Sequence, residues 1–342
     1  MAETATNLNI ESVVQDILGT IDREREREII ARRFGLFDRR ETLEQIGELL
    51  GITRERVRQL EKAVITKLQA AGEDLPHIKE VQNVLNEHLS EMGHVARTTE
   101  ITKRLSPENT KVDQARVAFL AHLAPQIAVI DDNDHFHHSI GLAAKHSEKA
   151  IRENVGKVID AISKIDGPTD IDTLAKEVGN PDPKHVEALA SISKNIASLH
   201  GRFGLTKWPM VNPKNIRDKI YVILHDHKKP MHFSEIAEAI KGSDFKRKDV
   251  TTQAIHNELI KDKRFVLIGR GIYALREWGY KQGTVADVIA EVLKKEGGPL
   301  HRDEIVRRVL KSRQVKETTI LLNLQGKPQF KRVAKATYAL GE

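Results

Sequence analysis

Cysteine is absent from the 342 residues. Its absence removes disulfides, thiolate metal sites, iron–sulfur clusters and cysteine nucleophiles together, and agrees with a reducing compartment. Aromatic residues make up only 4% of the chain, so its cores have to be built from Leu, Ile, Val and Ala, as in small helical units. Nowhere do about 18 apolar residues follow one another. The N-terminus, MAETATNLNI, has acid and hydroxyl groups where a secretory leader would carry a basic segment and an apolar stretch. The expectation is a cytoplasmic protein, neither secreted nor membrane-spanning. A Walker-type phosphate loop, a G-x-S-x-G elbow and HExxH are missing too. No catalytic constellation can be assembled, so neither enzymatic activity, a cofactor nor a small-molecule substrate is expected.

What is present is charge, 30% of residues, with a net +6 that is unevenly spread. Residues 1–71 hold 12 basic and 13 acidic groups, residues 72–210 hold 16 and 20, and residues 211–342 hold 27 and 16. The last third therefore carries the excess positive charge and suits a polyanion, whereas the acidic middle suits contact with protein. A solvated charged surface is the alternative for both.

From Glu41 the chain reads ETLEQIGELLGITRERVRQLEKAVITKL, two helically spaced apolar blocks separated by Gly51. Thr42 with Gln45 forms a capping-box pattern ahead of Leu43, Ile46, Leu49 and Leu50, which face inward, and Gly51 provides a left-handed stop. Thr53 caps the second helix, in which Val57, Leu60, Val64 and Leu68 form one stripe. Its outer face then belongs to Arg54, Glu55, Arg58, Gln59 and Lys62. Arg can pair with guanine O6/N7, Gln with adenine N6/N7, and Glu can accept from cytosine N4, so the set has the chemistry of a recognition helix in a major groove. Arg39, Arg40, Thr42 and Arg56 would lie nearer the phosphates. An ordinary amphipathic helix with a salt-bridged outer face is the other reading.

The run from Arg25 to Leu36, followed by Glu41 to Glu61, closely resembles region 4 of sigma-70 family sigma factors. That domain reads the promoter −35 element and docks on the β-flap of RNA polymerase. The resemblance implies base reading by Arg54, Glu55 and Gln59, DNA contact by Arg58, and backbone contact by Thr42, Leu43 and Glu44. With only about 20 residues ahead of it, promoter-melting domains are not expected in this chain, nor is it expected to open promoters alone.

Downstream a unit recurs every 63–72 residues: helix, polar break, second helix, third helix and a hairpin-like ending. The second helices read ARTTEITKRL, TDIDTLAKEVG, HFSEIAEAI and HRDEIVRRVL, aligning Glu100, Asp172, Glu235 and Glu304. Three helices plus a β-hairpin make a winged helix-turn-helix. The expected fold is mainly α: a lead-in helix (1–20), a sigma region 4-like helix-turn-helix (21–72), and four tandem winged-helix units at 76–143, 148–209, 213–279 and 283–342. The last two resemble the HARE-HTH family, which includes the delta subunit of bacterial RNA polymerase, clearest in MHFSEIAEAI and in Phe265–Leu275. For the third unit the candidate phosphate contacts are Lys246, Arg247, Lys248, Thr251, Thr252 and Arg270, and for the fourth they include Arg313, Lys316, Lys331 and Arg332.

DDNDHFHH, Asp131 to His138, clusters carboxylates and imidazoles, but adjacent ligands on one hairpin seldom converge on a single ion, so a polar wing is expected and no metal. Three functions fit the whole: a sigma-like transcription initiation factor or promoter-specific regulator, a delta-like polymerase accessory subunit, and an architectural double-stranded DNA-binding protein. The intact Arg54–Glu55–Arg58–Gln59 set favours the first, with promoter DNA and the polymerase core as partners.

Overall fold

A computed structural model describes residues 8–145, 147–245, 247–280 and 283–341. The chain divides into two units, the first ending at Lys207 and the second starting at Trp208. It is mainly helical, and among the described residues no helix is long and apolar enough to cross a membrane.

The first unit opens with α1 (Ile10–Gly19), whose Asn9 side chain accepts from the Ser12 amide. Then come α2 (Glu24–Phe34), α3 (Leu43–Leu50) and α4 (Arg54–Ala71), which together make the helix-turn-helix. After a short 3₁₀ turn the chain runs through α5 (Ile78–Glu91), β1 (Val95–Arg97), α6 (Thr98–Leu105), α7 (Lys111–Leu123), β2 (Ile127–Ile130) and β3 (Ser139–Leu142). The three strands form an antiparallel sheet in the order β1-β3-β2, with Val95 opposite Gly141. The pattern returns as α8 (Glu148–Ile165), α9 (Ile171–Val178), α10 (Pro183–Ile192) and the hairpin β4 (Ile196–Leu199) with β5 (Arg202–Leu205). Here the third strand is reduced to a bridge between Thr169 and Phe203.

The lead-in helix is packed into the rest of its unit. Val14 and Ile17 of α1, Val64 and Leu68 of α4, and Phe119 and Leu120 of α7 belong to one continuous apolar core. Burial of side chains this size stabilises by about 1.5–3 kcal/mol each relative to exposure, so the sharing holds helix-turn-helix and following module together. Arg116 of α7 cross-braces them: its Nε donates to the Leu36 carbonyl at 2.8 Å and its Nη1 lies 3.0 Å from the Glu11 carboxylate. Phe34 meets Phe119 edge-on at 5.1 Å.

The loop from Asp131 to His138 folds against the start of the next hairpin. The His137 amide donates to the Ile192 carbonyl, the Lys194 amide to the His135 carbonyl, and Lys194 Nζ pairs with Asp132 at 2.9 Å. Among the described residues, no group of three or more His, Asp or Glu side chains could hold a metal ion.

The second unit repeats the plan twice. α11 (Ile216–His227), β6 (Met231–His232), α12 (Phe233–Gly242), α13 (Thr252–Lys261), β7 (Phe265–Gly269) and β8 (Ile272–Leu275) carry a sheet ordered β6-β8-β7. α14 (Val285–Glu296), β9 (Leu300–His301), α15 (Arg302–Leu310), α16 (Glu317–Gly326), β10 (Phe330–Ala334) and β11 (Thr337–Leu340) carry one ordered β9-β11-β10. Glu100, Glu235 and Glu304 all fall at the third position of their helices, whereas Asp172 falls at the second of α9, one step out of the expected alignment.

Arg313 corrects the expectation of a phosphate contact. Only 3% exposed, it donates through Nη1 to the Leu267 carbonyl at 2.7 Å and through Nη2 to the Gly283 carbonyl at 2.8 Å. The Gln314 amide then donates to the Ile268 carbonyl. The segment thus pairs with the outer edge of β7, an edge that would otherwise leave backbone groups unmatched.

Candidate nucleic-acid interface

The tight corner between α3 and α4 is encoded locally. The Thr42 hydroxyl accepts from the Gln45 amide while the Gln45 side chain accepts from the Thr42 amide. Gly51 ends α3 at φ 65°, a left-handed conformation that glycine adopts without steric cost. Gly47 is needed for a different reason: a Cβ there would lie 2.6 Å from the Ile52 carbonyl oxygen, so any side chain would push the corner open. Thr53 then caps α4 through the Arg56 amide at 3.2 Å.

Ile29, Ile46 and Val57 form a small buried core, closed by Leu43, Leu50, Ile52 and Leu60. Leu49, expected inside, is 55% exposed. On so short a helix the inward arc is filled by Leu43, Ile46 and Leu50, and Leu49 lies at its edge.

The opposite face of α4 presents Arg54, Glu55, Arg56, Arg58 and Gln59, all exposed. Arg58 grips Glu55 through Nε at 2.9 Å and Nη2 at 2.6 Å, and Gln59 Nε2 donates to the same carboxylate at 3.4 Å. Arg56 Nη1 donates to Gln59 Oε1 at 3.4 Å. The Arg58 hydrogen bonds and charge hold the Glu55 carboxyl below its ordinary value, and Glu55 raises Arg58 in return. The set is a row of donors and acceptors on one helical face, several of them paired with each other.

Around it the backbone-directed candidates fall into place unevenly. Arg39 and Arg40 are exposed between α2 and α3, with Arg40 Nε donating to the Arg33 carbonyl at 3.2 Å. Thr42 and Glu44 are exposed at the α3 N-terminus, while Leu43 is half-buried in the small core, leaving its amide as the group that could meet a phosphate. Glu61, farther along α4, is tied to Arg33 at 3.3 Å and fixes α2 against it.

In the second unit Lys246 lies outside the described residues. Arg247 adopts φ 54° and its carbonyl accepts from Lys219 Nζ at 2.8 Å. Lys248 Nζ donates to the Ser243 carbonyl, and the Thr251 hydroxyl is taken up in capping α13, whose first residue is Thr252. Arg270 is exposed in the β7–β8 turn, and Lys331 and Arg332 are exposed on β10. Sequence reasoning missed Arg97 and Lys111, which stand beside Arg39 and Arg40 around one cleft. They are distant in sequence and share no motif with the helix-turn-helix.

Residues 23–70 match the family described as Sigma-70, region 4. Over 69 residues the chain is 41% identical to the RNA polymerase sigma factor SigA of a Bacillus species, covering 20% of this chain and 18% of that protein. Over 57 residues it is 49% identical to the RNA polymerase sigma factor sigB of Arabidopsis thaliana, covering 16% of this chain and 9% of that protein. The chain thus matches less than a fifth of the length of either relative, and the shared part is the helix-turn-helix. A sigma-70 region 4 domain, a DNA-binding domain, therefore occupies residues 23–70.

Proposed function

We propose that this chain is a promoter-binding transcription factor. In this reading Arg54, Glu55, Arg58 and Gln59 read a −35-like element from the major groove, and Arg39, Arg40, Thr42, Arg56 and the amides of Leu43 and Glu44 hold the flanking phosphates. The observation that carries it is the exposure of that four-residue set on a helix whose other side is buried in two apolar cores. A face that is polar, exposed and dispensable for packing is free to contribute to binding.

The four three-helix modules, each ending in a hairpin, are read as winged helices, the last two of the HARE-HTH kind, and their function is binding rather than catalysis. The second unit supplies sequence-independent phosphate contacts, through Lys248, Thr251, Thr252 and Arg270 and through the Lys331–Arg332 hairpin. The chain works in the cytoplasm beside the polymerase core. Docking on the β-flap is the expected second contact, and even modest affinity at two linked points multiplies. The acidic balance of residues 72–210 supports protein contact there.

Fluorescence anisotropy on a duplex carrying a −35-like element and on a scrambled duplex, each at two salt concentrations, tests the reading. A preference of about tenfold, lost in Arg54→Ala with Gln59→Ala, is the expected result. Lys331→Ala with Arg332→Ala should lower affinity for both duplexes and flatten the salt slope by about one per lost phosphate contact. Equal, salt-steep binding to both duplexes by the unmodified chain would overturn promoter reading and leave polymerase docking or an architectural role.

A further inference from the structure

A cleft of about 980 Å³ opens in the first unit between the α2–α3 connection and the following module. Volumes of this order hold small organic ligands. Four cations line it: Arg39, Arg40, Arg97 and Lys111. Among the described residues none of them has a carboxylate within ion-pair distance, whereas two of the acids on its rim are already engaged, Glu61 with Arg33 and Asp132 with Lys194. Asp38 and Asp131 are the remaining acids, so positive charge prevails.

Arg97 is the most telling of the four. Its guanidinium is half-buried and, among the described residues, meets a single acceptor, the Ser191 carbonyl, through Nε. Burial pushes Arg97 below its ordinary value, opposed by the charge of Glu100, which is itself paired with Lys103; a partly desolvated cation with no carboxylate at ion-pair distance is costly unless something anionic completes it. The floor between the cations is apolar and aromatic, from Phe34, Val112, Ala115, Ala118 and Val129. On one wall Thr98 and Thr99 bring hydroxyls at the start of α6, with the Thr98 hydroxyl 2.6 Å from His138 Nδ1. Four cations together with apolar and aromatic lining suit a ligand that is anionic at one end and a planar ring at the other.

We infer that this cleft binds a nucleoside phosphate, its phosphates between Arg39, Arg40, Arg97 and Lys111 and its base on the floor beside Phe34. The same chemistry could arrive as a free nucleotide or as an unpaired nucleotide of a bound strand. The cleft shares Arg39 and Arg40 with the phosphate contacts proposed for the duplex, whereas Arg97 and Lys111 belong to the cleft alone and lie on neither α3 nor α4, so the test variants are placed on those two.

Isothermal titration of the full chain with ATP, with inorganic tripolyphosphate and with the single strand (dT)8 decides it. Saturable one-to-one binding of ATP, at least fivefold weaker in Lys111→Glu and in Arg97→Gln, is expected for a free nucleotide. Binding of (dT)8 alone with the same losses assigns the cleft to a strand. Lys111 is exposed at the start of α7, so its variant should keep the parent melting temperature; Arg97→Gln is interpreted only if its melting temperature is also kept. Three results would overturn the inference: no saturable binding of ATP or (dT)8 up to roughly millimolar concentration, losses in neither variant, or tripolyphosphate binding as tightly as ATP. The −35-like and scrambled duplexes are titrated alongside, so a failure of promoter reading is seen separately from a failure of the cleft.

Discussion

Arg58 and Glu55, one helical turn apart on α4, are joined by two hydrogen bonds of 2.6 and 2.9 Å, so two of the four candidate base-reading groups satisfy each other in the free protein. Both side chains are about half exposed, and such a pair contributes little to stability. Its weight falls on binding, because Arg58 can reach a guanine only by sharing or leaving the carboxylate.

Replacing Glu55 with Gln should therefore act on selectivity. The expected result is tighter binding to a scrambled duplex, a steeper salt dependence and a ratio between −35-like and scrambled duplexes reduced several-fold. An unchanged ratio in anisotropy titrations would mean that Glu55 reads nothing.

Arg116 holds α7 to the Leu36 carbonyl and to Glu11, so Arg116→Met leaves a buried carbonyl without its donor. A loss of about 1–3 kcal/mol is expected. In thermal unfolding it should appear as a fall of several degrees, with secondary structure at low temperature unchanged.

Arg313→Met should release the edge of β7 rather than weaken DNA binding. Amide exchange would show faster labelling at Gln314, whose amide donates to Ile268. A loss of duplex affinity with unchanged exchange would restore Arg313 to the phosphate-contact set.

His94 and His138 are both pushed below the ordinary 6.5, first of all by burial; His185 and Lys145 add to the effect at His94, and Arg40 and His122 at His138. Asp131 and Asp132 oppose it at His138, and Asp182 at His94. Because the unfolded chain takes up these protons more readily, the contribution is full above about pH 6.5 and is lost as pH falls below it. Melting temperatures should be level between pH 7 and 8 and lower at pH 5.5, with a smaller drop in His138→Gln. Asp113, held below 3.8 mainly by its Thr110 and Ser106 hydrogen bonds against the effect of burial, matters only at much lower pH.

The helix-turn-helix was legible because its signals are local: Thr42 with Gln45, Gly51 and Thr53 each act within a few residues, and each does so in the structure. The caps of α7 and α14 are of the same kind. What was not legible depends on partners far along the chain. Nothing near Arg313 announces Leu267, and nothing in α1 announces Phe119, yet these contacts decide that one arginine is structural and that the lead-in helix is part of a core. Leu49 failed for a narrower reason, since apolar spacing gives a face of α3 but not how wide that face is. Of the cleft cations, Arg39 and Arg40 were legible as phosphate-directed groups, but Arg97 and Lys111 were not, because they join them only after the two modules pack.

Val64 and Leu68 of α4 share their core with Phe119 and Leu120 of α7, so the helix-turn-helix and the first module turn together as one lever. If α4 enters a groove, the module behind it has no swivel of its own and must lie on one side of the double helix. Two such sites on one duplex would then place their modules in phase or opposed according to spacing, with a period of about 10.5 base pairs. A half-turn change in spacing would carry the module to the opposite side of the duplex without altering a single base contact.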